Sequence, residues 1–294
     1  MSNLAALESP ALSDALATAV AAVAPSVLHV PRRRGGGSAT AIDADHAITS
    51  NFHAPDEGEV LVAAPDGSVE PRAARVIGRD PSTDLALLRV DGGGLTPVRF
   101  ADVAGVRVGQ LALALGRPGR SIRASLRAVG VIGPAMRTPW GGQLDAYIET
   151  DRELPRGFGG GPLIDLTGVV VGIGTRSLVR GADLAIPGVT VLRVAAALRT
   201  HGAVPRGFLG VAAVPARLGD DLRGALIAGL DAESPAAKAG LLVGDVVLLV
   251  GDVAIDGPRA LQRALWDLAD RDVDLAVQRA GAALTVRVTV GSRP

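Results

Sequence analysis

His53 closes the run ITSNFH, Asp84 sits within DPSTDLALLRV, and residues 154–166 read LPRGFGGGPLIDL. An imidazole and a carboxylate brought together can move a proton near neutral pH. Taken singly, each residue has an equally ordinary use, His53 as a loop histidine and Asp84 as a turn cap. The glycine-rich stretch poses a sharper question. Gly159, Gly160 and Gly161 stand in a row. Either the chain needs positive φ angles and close backbone approach there, or a functional side chain has gone from the run.

Other reactive chemistry is scarce. The chain has no cysteine, which excludes disulfides, thiolate catalysis and cysteine-ligated zinc. Its four histidines, His29, His46, His53 and His201, show no HxH or HExxH spacing, so neither a metal site nor a cofactor is expected. Thirty basic residues balance thirty acidic ones, which removes the electrostatic case for nucleic acid. The arginines of PRRRGGG at 31–37 read as a solvated loop rather than a binding arm.

The elements that must position these residues are short strands. Hydrophobic residues make up 48% of the chain but aromatics only 2%, so packing rests on Val, Leu, Ile and Ala. From about 26 to 195, apolar runs such as SVLHV, EVLVAAPDG, DLALLRV, QLALALG and GVVVGIG are punctuated by Gly, Pro and Asp. With no helical segments between them, these runs predict an all-β barrel or sandwich. Residues 189–202 have helical spacing and a stop at Gly202. At the N-terminus, Ser13 is expected to cap a helix whose stripe is Leu16, Val20 and Val23.

Residues 206–294 form a different unit. Ser234 is expected to cap a short helix with Pro235 at its first position and Gly240 beyond its end. Gly251-Asp252 suits a tight turn between strands. PRALQRALWDLAD places Leu261, Leu265 and Leu268 on one helical face, and two alternating strands close a small, partly open α+β barrel.

Taken in order, ITSNFH, DPSTDLALLRV and GFGGGPL resemble the His, Asp and Ser segments of the HtrA (Deg) family of trypsin-like serine proteases, which read approximately TN-x-H, TDLAxL and GNSGGPL. VRVGQLALALGRPG, YIETD, GVVVGI and LAIP also sit where that family has counterparts. RGFLGV and SPAAKAGLLVGDVVLLVGD resemble its PDZ domain. The resemblance covers nearly all of the chain beyond residue 26. It implies a mainly β fold, a chymotrypsin/trypsin-like double β-barrel followed by a PDZ domain. The domains would be a helical segment at 1–25, a protease-like body at 26–200 and the PDZ unit at 206–294.

In such proteases a serine attacks the peptide carbonyl, a histidine takes its proton and an aspartate orients the imidazole. The resemblance assigns His53 as the base and Asp84 as the orienter, and it places Gly159 where the serine belongs. Glycine has no hydroxyl, so no acyl-enzyme forms there. Phe158 and Arg156 also depart from the commonest family wording. The N–H groups of Gly157 and Gly159 would still form the oxyanion hole, because it is a backbone device. Ser50, Thr49 and Thr150 lie near the triad segments in sequence but not at the turn.

PDZ domains add an extended peptide as a strand and hold its terminal carboxylate on backbone N–H groups. Here Gly207, Phe208, Leu209 and Gly210 would supply the donors, Val211 and Ala213 would line the added strand, and Leu261 and Leu265 would wall the pocket for the last side chain. Trp266 is left unassigned to either helix face. The expected function is therefore an inactive protease homologue that binds peptides or unfolded segments, acting as a scaffold or in protein quality control. The alternative is an HtrA-type endopeptidase in an inactivated, Ser-to-Gly form. The resemblance implies a homotrimer, although residues 1–30 lack the aromatic residues such trimers use. Residues 1–30 have no basic leader and carry Glu8, Asp14, Pro10 and Pro25, so no signal peptide or membrane span is expected and a cytoplasmic location is.

Overall fold

A computed structural model describes residues 9–31, 36–63, 68–179, 182–219 and 222–293. The side chains of Ser9, Pro10, His53 and Glu57 lie outside the description, as do the arginines at 32–34. The chain divides into two compact units, Met1–Val204 and Pro205–Pro294.

The first unit holds two closed, six-stranded antiparallel barrels. Around the first barrel run Val27–Val30, Gly37–Ala41, His46–Ser50, Leu85–Val90, Val69–Asp80 and Glu57–Ala63. Around the second run Tyr147–Thr150, Ala182–Ile186, Val170–Val179, Pro162–Ile164, Leu111–Gly116 and Arg123–Gly133. Closure leaves no strand edge unpaired, which suits strands too short to be stable alone. The interiors are aliphatic. Leu28, Val60, Val62 and Leu88 are among those filling the first, and Ile148, Leu163 and Val171 pack in the second.

Helix Gly188–His201 follows the second barrel and buries Val191, Val194, Ala195 and Leu198. Gly202 ends it in the left-handed region at φ 73°, with its N–H returning to the Leu198 carbonyl. The helix end presses on strand Val69–Asp80 at Gly78, where a Cβ would come within 2.8 Å of Leu198 Cβ and of the Gly202 oxygen. The N-terminal helix spans Ser9–Val23, so Ser13 lies inside it and is not its cap. Serine is tolerated inside a helix as well as at its cap, so residue type alone does not mark the boundary. Leu16, Val20 and Val23 do face the core. Arg117, 4% exposed, fastens the end of this helix: Nη2 donates to Ala24 O at 2.9 Å and Nε to Val27 O at 2.6 Å.

The second unit is a sheet in the order Val211–Leu218, Leu222–Leu230, Val246–Val250, Asp272–Arg279, Ala282–Thr289, with Val253–Ala254 paired to Val246–Val250. A separate ribbon pairs Arg206–Phe208 with Gly291–Arg293. Ser234 caps helix Pro235–Lys238 by accepting the Ala237 N–H, and Gly240 beyond it has φ 82°. Helix Pro258–Leu265 buries Ala260, Leu261 and Leu265, and Leu268 falls in the 3₁₀ turn that follows. Asp245, whose side chain is fully buried, accepts bonds from Arg279 Nε and Nη2, both at 2.7 Å.

Candidate active-site turn and peptide groove

Asp84 stands just before strand Leu85–Val90 with φ 55°, a left-handed conformation that aspartate tolerates better than most residues. Its carbonyl accepts the Asn51 N–H at 2.9 Å. Its carboxylate, in a residue 3% exposed, receives three further donors. Oδ1 accepts the Phe52 N–H at 3.0 Å, and Oδ2 accepts the hydroxyls of Ser50 at 2.8 Å and Thr175 at 2.5 Å. Asp84 therefore organises the 3₁₀ turn Asn51–His53, at whose end His53 stands. The backbone places His53 there; its side chain is outside the described residues.

The glycine-rich stretch is held by the first barrel although it leads into the second. Gly157 and Gly160 have φ 83° and 82°, whereas Gly159 is not among the positive-φ residues. Gly161 is needed for space instead, since a Cβ there would approach the Leu115 oxygen to 2.1 Å. Ser38 in strand Gly37–Ala41 grips both sides of the turn. Its hydroxyl donates to Gly157 O at 2.6 Å and its N–H to Gly159 O at 3.2 Å. Next along, Thr40 Oγ1 donates to Gly160 O at 2.9 Å. Among the described residues, the N–H groups of Gly157 and Gly159 have no acceptor. Phe158, 3% exposed, turns into the interior beside Gly116, where a Cβ would meet its ring at 2.7 Å.

The three alternative hydroxyls are committed elsewhere. Ser50 donates to Asp84, Thr49 to Ser38 O at 2.7 Å, and Thr150 to Arg152 O at 3.0 Å. Among the described residues no cluster of three His, Cys, Asp or Glu side chains is placed to hold a metal.

In the second unit a cavity of about 660 Å³ lies between strand Val211–Leu218 and helix Pro258–Leu265. Gly207, Phe208, Leu209, Gly210, Val211, Ala213, Leu261 and Leu265 all line it, and so does Trp266. The strand is the edge of its sheet, so its outer side has room for another. Gly210 has φ 74°, and the N–H groups of Leu209 and Gly210 have no acceptor among the described residues. Sequence reasoning missed Arg206 and Arg293, which also line the cavity. Arg206 opens the recognised run RGFLGV, and the ribbon pairing of 206–208 with 291–293 brings Arg293 beside it.

Comparison with known proteins now bears on this geometry. Residues 37–173 match the trypsin-like peptidase domain family and residues 207–290 the PDZ domain family. A solved AlgW variant with a tripeptide, an HtrA-type protease, is 30% identical, with a TM-score of 0.68 over 95% of this chain and 97% of that one. The chain belongs to the HtrA-type, DegP-like family. The HtrA-type protease AlgW with a decapeptide is similar too, at 26% identity and TM-score 0.71, covering 95% of this chain and 99% of that one. Among curated proteins, a probable periplasmic serine endoprotease, DegP-like, of Halomonas elongata is 37% identical over 280 residues, covering 90% of this chain and 58% of its own length. A protein of the same description from Brucella suis is 32% identical over 276 residues, covering 88% of this chain and 53% of its own length. This HtrA-type chain thus spans little more than half the length of these relatives.

These relatives correct the expectation of a cytoplasmic protein: they are named periplasmic, which points to the periplasm instead. The charges and prolines of residues 1–30 describe that segment alone, and the absence of cysteine suits either compartment. No helix among the described residues is long and apolar enough to cross a membrane.

Proposed function

We propose that this HtrA-type chain is a pseudoprotease that binds peptide ends and unfolded segments without cleaving them. The observation that carries the reading is Gly159. It lies in the turn whose Gly157 and Gly159 N–H groups have no acceptor among the described residues, and it has no hydroxyl to attack a carbonyl. Loss of the nucleophile in worked protease cases lowers kcat by about 10⁶, leaving ~10³–10⁴ over water, too little for useful proteolysis. The roles assigned are His53 as a former base, Asp84 as its orienter, and Gly157 and Gly159 as oxyanion donors. The groove at Gly207–Val211, Leu261 and Leu265 would then be the working site, taking a peptide as an added strand. Binding clients in a folding-quality or scaffolding role follows, whether as a monomer or a trimer.

The test is to assay the protein and its Gly159→Ser variant on an unfolded protein substrate. The natural chain is expected to leave the substrate intact and the serine variant to cleave it. Cleavage by the natural chain would overturn the proposal.

A further inference from the structure

The glycine-rich turn has backbone donors left over once its own bonds are made. Ser38 draws the carbonyls of Gly157 and Gly159 toward the first barrel, through its hydroxyl at 2.6 Å and its N–H at 3.2 Å. The Phe158 carbonyl accepts the Gly161 N–H at 2.8 Å. In a trans peptide the N–H lies opposite the carbonyl, so the Gly159 N–H faces away from that bond. It and the Gly157 N–H have no acceptor among the described residues, although Gly159 is buried and Gly157 half-buried. Buried N–H groups in folded proteins are almost always paired, so these two point to a ligand oxygen.

The turn also carries a charge of its own. Arg156, next to Gly157 in the chain, is exposed and has neither an ion pair nor a hydrogen bond among the described residues. The acidic residues leading into the turn are already engaged, Asp151 at 3.3 Å from Arg152 and Glu153 at 3.7 Å from Arg176. A neutral peptide carbonyl would satisfy the two N–H groups and leave Arg156 unmatched. A carboxylate answers both, and hydrogen bonds to an ionised acceptor are roughly twice as strong as neutral ones. Its second oxygen needs room that a nucleophile's side chain would take. Gly159 has no side chain to take it.

We propose that the turn is a second carboxylate site, which captures the C-terminal carboxylate of a peptide. One oxygen takes the N–H groups of Gly157 and Gly159, the other takes the space left at residue 159, and Arg156 matches the charge. The ligand class is a peptide with a free C-terminus, held as a cleaved product would be rather than as a substrate. This rests on residue 159 being a vacated position, and it is independent of the groove in the second unit.

Amide NMR on the isotope-labelled full chain reads the two sites separately. The probes are a short capped peptide ending in valine as the free acid, the same peptide as its C-terminal amide, and that amide with one internal glutamate. The free acid is expected to shift the Gly157 and Gly159 resonances. It should bind there about tenfold more tightly than either amide, with the advantage shrinking as salt rises. Arg156→Gln should remove most of that advantage, and Gly159→Val, which fills the space, should abolish the Gly157 response. Leu209 and Gly210 should still respond in both variants, and the unfolding midpoint checks that each is folded. Shifts confined to Leu209 and Gly210 would overturn the inference and leave the groove reading standing. Equal affinity of acid and amides at the turn would overturn it as well, as would an acid preference undiminished in folded Arg156→Gln. Shifts confined to Gly157 and Gly159 would support the inference and count against the groove. Silence at both sites would overturn both.

Discussion

The Ser38 hydroxyl donates a 2.6 Å hydrogen bond to the carbonyl of Gly157, joining residues 119 apart in the chain. The same oxygen accepts the Arg117 N–H at 2.8 Å, so the serine is fixed as donor and acceptor at once. Its own N–H holds Gly159 O. With both carbonyls drawn toward the first barrel, the shape of the turn is dictated by a strand that contributes no proposed catalytic group. On the proposed reading, this support surrounds a position that carries glycine in place of a nucleophile.

Ser38→Ala should destabilise the first unit by about 1–3 kcal/mol, because the fully buried serine would leave Gly157 O and the Arg117 N–H unsatisfied. Chemical denaturation measures it. In the Gly159→Ser background the same change should lower kcat more than it alters KM, since the loosened N–H groups act on the transition state. An undisturbed midpoint together with unchanged kinetics would show that the bond supports nothing.

Gly160 and Gly159 should respond differently to alanine. At Gly160 the left-handed φ and a Cβ only 2.2 Å from the Ser38 oxygen require the backbone to shift, so Gly160→Ala is expected to lower the melting temperature by about 10 °C or more. Gly159 has no left-handed φ, and Gly159→Ala should melt within a few degrees of the natural chain. Thermal melts of the two variants decide it. Collapse of Gly159→Ala would mean that glycine is required there, against the reading of a vacated position.

The second unit should lose stability in acid through Asp245. The Arg279 guanidinium bonded to it holds its carboxyl below the ordinary value of 3.8; burial opposes that shift and the Leu242 N–H reinforces it. A carboxylate lowered on folding contributes stability that is present above the unfolded value and lost as pH falls through the folded one. The unfolding midpoint of this unit should therefore drop below about pH 4, and Asp245→Asn should flatten that part of the profile while lowering stability at neutral pH. Calorimetry of both proteins across the acid range provides the check. A parallel acid profile in the variant would remove Asp245 from the account.

Much of the fold was legible because its signals are local. Gly202, Ser234 and Gly240 mark helix ends by their own conformational preferences, and the apolar runs form short strands as expected, with closure into barrels rather than a sandwich decided by the structure. Ser13 is a good cap by type, but serine is also tolerated inside a helix, and here it lies within Ser9–Val23. Trp266 could not be assigned to a face from periodicity, because the α-helix passes into a 3₁₀ turn at that residue and the spacing changes. At the turn, the sequence asks for positive φ or close backbone approach, but only the structure shows which of Gly157, Gly160 and Gly161 needs which. Two adopt positive φ, and one lies against the Leu115 carbonyl.

The sequence by itself determined the identity of every group in the turn, above all that residue 159 carries no side chain. It also determined the strand pattern and the division into an all-β body and a smaller α+β unit, since these follow from residue type and short-range spacing, while the double barrel and the PDZ domain were implied by the family resemblance. Tertiary structure alone decided which distant residues meet. Ser38 reaches Gly157, Thr175 reaches Asp84 from 91 residues away, and Arg293 is set opposite Arg206 at the groove. Barrel closure and ribbon pairing create those contacts, and neither leaves a local mark on the residues it brings together.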